Sequence, residues 1–446
     1  MRRVLGLLAV CALIVAVRLA MPAEASAAAA AMALGFVLLV SFVLGRVATR
    51  LGLPTITGYI LVGMVTGPFL LGWLHPALAV LGHSAVSSLR LLDGVALGLI
   101  ALSAGGELRL AAVRRHARTI AAVIAGQVLL VFAGVTMLVL AGATLFPSLQ
   151  GVAGGSLVAM ALLFAVIATA NSPATALAII QEYRSEGPVT DVVLAVTVVK
   201  DVVVISLFTI VLAFAVLLAR PGAAFDAAFL LELGWEVAGS VALGVGLAWL
   251  VALYVRRVGH ELPLLILGVA FVAVAVLPAL HLSGLLALMV AGFVIENFTA
   301  HGDDLIQAIE RHSLPVYVVF FTIAGASLDL GALGATLPLA LALALVRGLL
   351  TAGGTALGAR LAHAPAAVQR HGWSGFVAQA GVTLGFAILV EQRFPEIGFT
   401  VKTVVLAVIA LNQLAGPVLF RLGLLWAGEA QPEGEPSRAA PAAARP

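Results

Sequence analysis

Apolar residues fall along the chain in about fourteen blocks: 4–20, 31–49, 55–73, 88–106, 118–146, 152–181, 189–218, 229–255, 261–278, 282–297, 313–327, 337–361, 373–391 and 401–426. Short polar or Gly/Pro-rich breaks separate them. A helix crosses a bilayer with ~20 apolar residues, so the pattern predicts an all-α polytopic membrane protein. It has 13 transmembrane helices plus an N-terminal block. The longer blocks leave room for tilt. None alternates with the two-residue period of a membrane strand, which argues against a barrel.

Composition narrows the class. Hydrophobic residues make up 62% of the 446 and charged residues only 10%, against roughly 25% charged in a soluble domain. So few charges cannot cover a water-exposed surface, and so apolar a chain is not disordered. The net charge of +3 is the basic excess expected of cytoplasmic loops, so nucleic acid is not implied as a partner. Cys11 is the single cysteine, which excludes an internal disulfide and a cysteine metal site. The histidines lie almost wholly in loops without metal-ligand spacing, and no Gly-rich phosphate loop follows a strand. No metal, cofactor or nucleotide is therefore expected, and no nucleophile–base constellation points to an enzyme.

The arginines give orientation. With residue 1 in the cytoplasm, the loops on that side carry seventeen arginines and the opposite loops four. This asymmetry supports the alternation and, if the first block is retained, puts both chain ends in the cytoplasm. Residues 1–28 remain ambiguous. Arg2 and Arg3, an apolar run and Ala23-Glu24-Ala25-Ser26-Ala27 fit a signal peptide with a small-residue cleavage site, or an extra helix. The following helices keep their orientation in both cases. Residues 29–427 form the membrane unit, and 428–446, rich in Pro, Ala and Glu, are expected as a disordered cytoplasmic tail.

An internal repeat is visible. Ala104-Gly105-Gly106-Glu107-Leu108-Arg109-Leu110 closes the fourth block, and Ala324-Gly325-Ala326-Ser327-Leu328-Asp329-Leu330 closes the eleventh, 220 residues later. Seven blocks separate them. Seven is odd, so the copies cross in opposite senses. Two inverted six-helix repeats result, helices two to seven and nine to fourteen, as in secondary transporters.

The sixth block breaks its own helix. Thr169, Asn171, Ser172, Pro173 and Thr175 interrupt an apolar span. Pro173 removes a backbone donor and pushes Ser172 towards extended geometry. Freed backbone groups survive in hydrocarbon only where they line a protein cavity. The repeat then requires a break in block thirteen, where Gln379, Gly381, Thr383 and Gly385 predict a second, gentler one. Two discontinuous helices at matching places point to a midplane ion site.

Three deep charges complete the set. Lys200 and Asp201 stand mid-span in block seven, and an intramembrane acid is a functional candidate. One carboxylate that holds either a cation or a proton is a minimal exchanger. Thr197, one turn earlier on the same face, can add an oxygen. Lys200 either pairs with Asp201 as a neutral couple or turns to another face, since adjacent helical positions diverge. Arg347 in block twelve either faces the C-terminal dipoles of the half-helices or pairs with an acid such as Glu107 or Glu296. Asp93, Glu107, Glu296 and Asp329 near helix ends, and Asp303, Asp304 and Glu310 in a connection, are expected to be structural.

These residues resemble the monovalent cation:proton antiporter superfamily, in particular its second branch, with potassium-efflux-type and bacterial sodium/proton exchangers. The resemblance covers about residues 34–426. Leu51 to Pro68, LGLPTITGYILVGMVTGP, looks like the branch's opening signature. By the resemblance Asp201 takes the place of the essential carboxylate, Arg347 that of a family lysine or arginine, and Asn171 to Thr175 the first unwound helix. The resemblance implies a homodimer with a dimerisation domain and a mobile core, in a bacterial inner membrane, in contact with lipid. Two positions depart from it. Lys200 stands where familiar members have Asn, Asp or Gln, and Gly381-Val382 replaces a Gly-Glu pair. No cytosolic nucleotide-sensing domain is expected. The expected function is Na⁺ or K⁺ exchange for H⁺ by alternating access. The alternatives are an uncoupled or channel-like conductor, and a non-transporting membrane sensor.

Overall fold

A computed structural model describes residues 26–430 apart from 52, 75–78, 153, 220–226, 259–260, 300–301, 328–329, 380 and 395. The first apolar block and residues 431–446 thus lie outside the described residues, as does Asp329.

Every regular element among the described residues is helical. Ser26–Phe36, a π-helical turn Val37–Ser41 and Phe42–Arg50 form one rod, α1. Then come α2 (Thr55–Thr66), α3 (Arg90–Glu107), α4 (Leu110–Ala141), α5 (Gly154–Thr169), α6 (Pro173–Glu182) and α7 (Pro188–Ala219). The second half holds α8 (Ala227–Arg257), α9 (Leu262–Val276), α10 (Gly284–Phe298), α11 (Gly302–Ala326), α12 (Leu330–Leu361), α13 (Gly381–Arg393) and α14 (Gly398–Ala427). Among the described residues nine helical stretches are long and apolar enough to cross a membrane, and three apolar helices are shorter.

Boundaries differ from the sequence reading where local chemistry intervenes. The third block stops at Thr66 because Gly67-Pro68 ends the helix, proline being unable to continue it. In α4 the helix starts at Leu110, eight residues before the apolar block, so Arg114, Arg115 and Arg118 ride on its first turns. Helix α11 likewise absorbs the connection expected at 303–310 and carries Pro315 inside.

Large apolar side chains stand exposed along the outer faces, among them Leu129 and Met137 of α4 and Leu345 and Leu349 of α12. In water such a surface would aggregate; against lipid it is the expected coat. Inside, helices meet through glycines. Helix α2 packs on α11, α3 on α10, and α4 on α12. A Cβ at Gly63 would collide with the Thr322 carbonyl, and one at Gly325 with that of Ile60. The second pair repeats the arrangement: Gly105 against Met289, and Gly292 against Leu102. In each case the obstructing carbonyl belongs to the residue three before the partner glycine. Gly126 and Gly354 bring α4 and α12 into direct backbone contact. Lipid offers apolar surface as freely as a neighbouring helix does, so close backbone packing is what holds such pairs.

Two carboxylates cap helix starts. Glu182, at the end of α6, accepts from both the amide and the hydroxyl of Thr55 at 2.7 Å and so caps α2. At the far end of the chain Gly428 adopts the left-handed conformation, φ 73°, the usual helix stop for a glycine. The reversal aims Glu429 at the start of α7, where it accepts from the Val189 and Thr190 amides and the Thr190 hydroxyl, each at 2.8 Å. The N-terminal amides of a helix lack intrahelical partners and favour an anion. Gly428 and Glu429 thus belong to the folded body, a correction to the tail expected from residue 428. A bare glycine is also required at Gly187, φ 151°, where a Cβ would collide with the Glu429 carboxyl.

Candidate ion-binding site

The break in the sixth block is a complete interruption. Helix α5 ends at Thr169 and α6 starts at Pro173. Ser172, at φ −106° and ψ 106°, caps α6 by accepting from the Thr175 amide at 3.2 Å. The Thr175 hydroxyl bonds Ser172 Oγ at 3.0 Å and Gln413 Oε1 at 3.3 Å. Ser172 and Thr175 therefore spend these contacts on the cap.

Three carbonyls at the end of α5, and that of Ala170 just beyond it, meet side-chain donors. Thr169 Oγ1 donates to Val166 O at 2.6 Å. Gln379 Nε2 donates to Ile167 O and Ala170 O, both at 3.2 Å. Arg347, 1% exposed, donates through Nε to Ala168 O at 2.8 Å and through Nη2 to Ala170 O at 2.7 Å. The same guanidinium reaches the second break, donating to Val377 O at 2.7 Å and Phe376 O at 3.0 Å. The Arg347 guanidinium thus faces carbonyls of both breaks. Glu296 instead meets Arg109, 3.4 Å away.

The second break is not the gentler one. Gly372–Phe376 is a tight 3-10 turn, 377–379 are non-helical, and α13 starts at Gly381. The two breaks touch: the Ser172 amide donates to Ala378 O at 2.9 Å. Gln379 Oε1 accepts from Asn412 Nδ2 at 2.8 Å. In α13 Thr383 is buried, its Oγ1 without a partner.

Helix α7 packs along α5 and against the 3-10 turn. Lys200 and Asp201 are 1% and 3% exposed. No salt bridge joins the two. Lys200 Nζ instead donates to Gln127 Oε1 on α4 at 2.6 Å and lies 6.0 Å from the Phe376 ring centre. Gln127 Nε2 donates to Thr355 Oγ1 on α12 at 2.8 Å. Asp201 Oδ2 is buried with no hydrogen-bond partner. Thr197 is buried on the same helix, its hydroxyl turned back to Leu194 O at 2.8 Å. Both amide atoms of Asn171 are buried without a partner. A cavity of about 20 Å³ opens beside Asn171 and Ser172, against Ile100 of α3 and Met289 of α10. It has room for about one water.

Gln127, Thr355, Asn412 and Gln413 are not among the residues singled out from the sequence. All four are buried, and Gln127, Asn412 and Gln413 carry a signal that could have found them: a polar side chain inside an apolar span. Thr355 carries none, because threonine is common in membrane helices.

Residues 36–424 match the family model described as sodium/hydrogen exchanger, transmembrane. The fold is similar to that of the sodium proton antiporter MjNhaP1 from Methanocaldococcus jannaschii. Against its structure at pH 8 the TM-score is 0.64 at 19% identity, over 90% of this chain and 98% of that one. Against an electron-microscopy structure of it the TM-score is 0.66 at 18% identity, over 89% and 95%. No curated protein matches the chain in a direct comparison. With a match that spans most of its length, this polytopic helical membrane protein belongs to the sodium/hydrogen exchanger family, a family of transporters and not of enzymes.

Proposed function

We propose that the protein is a secondary active antiporter that exchanges a monovalent cation, Na⁺ or K⁺, for H⁺ by alternating access, with Asp201 taking either ion in turn. The observation that carries this reading is the Asp201 carboxylate, buried mid-helix with Oδ2 unpartnered, on a helix that packs along α5 and against the 3-10 turn of the second break. A buried acid without a partner is costly unless an ion or proton meets it. Asn171, with both amide atoms buried and free of partners, and Thr383, with a buried unpartnered hydroxyl, are the polar groups of the two breaks with coordination to offer. Thr197, Thr169, Ser172 and Thr175 form the local frame. Arg347 holds the carbonyl dipoles of both breaks.

The reciprocal glycine contacts support an inverted repeat. Exchanging α2 with α10 and α3 with α11 turns Gly63 on Thr322 into Gly292 on Leu102, and Gly325 on Ile60 into Gly105 on Met289. In this reading α4–α7 and α12–α14 form a core that moves against α1–α3 and α8–α11, which dimerise in the bacterial inner membrane with the C-terminus cytoplasmic.

The test is a pH dye in everted vesicles energised to an acid interior. Adding Na⁺, K⁺ or Li⁺ in turn should release protons for at least one cation. Asp201→Asn, made and inserted normally, should release none; wild-type release by that variant overturns the assignment. Flux that ignores a counter-gradient would replace antiport by an uncoupled conductor.

A further inference from the structure

The residue before the acid is a lysine, and it lies beside a carboxylate it does not touch. The reason is a relay on two closely packed helices. Gly126 and Gly354 put the backbones of α4 and α12 in contact, and the next residue on each, Gln127 and Thr355, is fully buried. The Thr355 hydroxyl donates its single proton to Thr351 O at 2.7 Å. Its oxygen can then only accept, and it accepts from Gln127 Nε2 at 2.8 Å. This orients the amide: its oxygen must point the other way, and there it receives Lys200 Nζ at 2.6 Å. With the Thr355 proton spent on a helix carbonyl, turning the amide over would set two N–H donors against the lysine.

We infer that Gln127, oriented by Thr355, is a positioning residue that seats the Lys200 amine away from Asp201 and thereby keeps the carboxylate open to its ion. The inference rests on the antiport reading. Without the relay the nearest acceptor of ionic strength for Lys200 is its own neighbour. An amine bound to Asp201 is a tethered competitor for the cation and the proton alike. Lys200 has no need of the seat for folding alone, since a neutral side chain could fill the volume. What the seat supplies is a fixed positive charge that does not occupy the site.

The test is Gln127→Leu in the full-length protein, in proteoliposomes. The apparent KM for the driving cation should rise about tenfold, the scale of one close charge pair, while the maximal rate changes little. Lys200→Gln added to Gln127→Leu should bring KM back towards the wild-type value, because no amine remains to compete. A merely structural role for Gln127 predicts no such rescue. Thr355→Val, which keeps the amide but frees it to turn, should raise KM by a smaller factor, and Thr355→Ser should not; this pair serves if Gln127→Leu does not fold. Labelling of Asp201 by dicyclohexylcarbodiimide, read by mass spectrometry, reports on the carboxyl without any transport. It should fall in Gln127→Leu and recover in the double variant. Unchanged KM and labelling, or a defect that persists without Lys200, overturns the inference. Absence of cation-driven proton release in the wild type overturns the antiport reading instead, and the labelling still decides the place of Lys200.

Discussion

Replacing Arg347 by methionine keeps most of the side-chain volume and removes every donor. Four carbonyls lose their partner at once: Ala168 and Ala170 at the first break, Phe376 and Val377 at the second. Each buried acceptor left unmet costs ~1–3 kcal/mol, so the gross loss is on the order of 4–12 kcal/mol. Two effects offset it. Gln379 still reaches Ala170 O, and the desolvation of the guanidinium, several kcal/mol per buried ion, is recovered. The net cost expected is about 3–5 kcal/mol, the range found when one partner of a buried charged network is deleted. At ~2 °C per kcal/mol for a large domain, the thermal midpoint in detergent should fall by about 6–10 °C. Arg347→Lys keeps the charge but presents donors from a single point rather than a planar fork, and should recover about half of that loss. The assay is the fraction of monodisperse protein on size exclusion after heating, beside exchange in everted vesicles. If Arg347→Met melts with the wild type and still exchanges, the clamp is not what holds the two breaks together.

Other outcomes are as concrete. Asp201→Asn should keep the wild-type melting midpoint while losing cation-driven proton release, a pairing read from the same two assays. In a Cys11→Ser background, cysteines at Ala117 and Ala366, both exposed, should be labelled by an impermeant maleimide in everted vesicles and not in intact cells; the reverse pattern would invert the orientation drawn from the arginines. Gly105→Val drives a side chain into the Met289 carbonyl and should sharply lower the yield of folded protein, whereas Gly246→Val, with open space around it, should not. Glu429→Ala strips a charged cap and should cost about 2 kcal/mol, seen as a lower melting midpoint.

What the chain displays locally could be read from it. Apolar blocks became helices because their length is set by the bilayer, and Pro173 ended α5 because a proline cannot donate. Polar residues packed around that proline marked a break rather than a kink. The limits of the reading are equally physical. Whether Lys200 met Asp201 depended on Gln127, 73 positions away, and no periodicity carries such a contact. The second break has no proline; its depth came from a 3-10 turn and from carbonyls held by a side chain on another helix. Glu429 looked like tail because Pro, Ala and Glu surround it, yet one left-handed glycine turned it back into the body.

That returning carboxylate ties the beginning of α7 to the end of α14 across 240 positions. A ribosome delivers α7 long before it delivers Glu429. Through most of synthesis the helix that bears Asp201 has its first amides exposed at the membrane surface, and its seat is completed only when the last span has come out. Arg347 and Gln379 likewise reach α5 late, across 179 and 212 positions. The first half of the protein therefore lacks these contacts until the second half is made. A nascent chain arrested before α14 holds Asp201, Arg347 and Gln379 but not the carboxylate that caps α7.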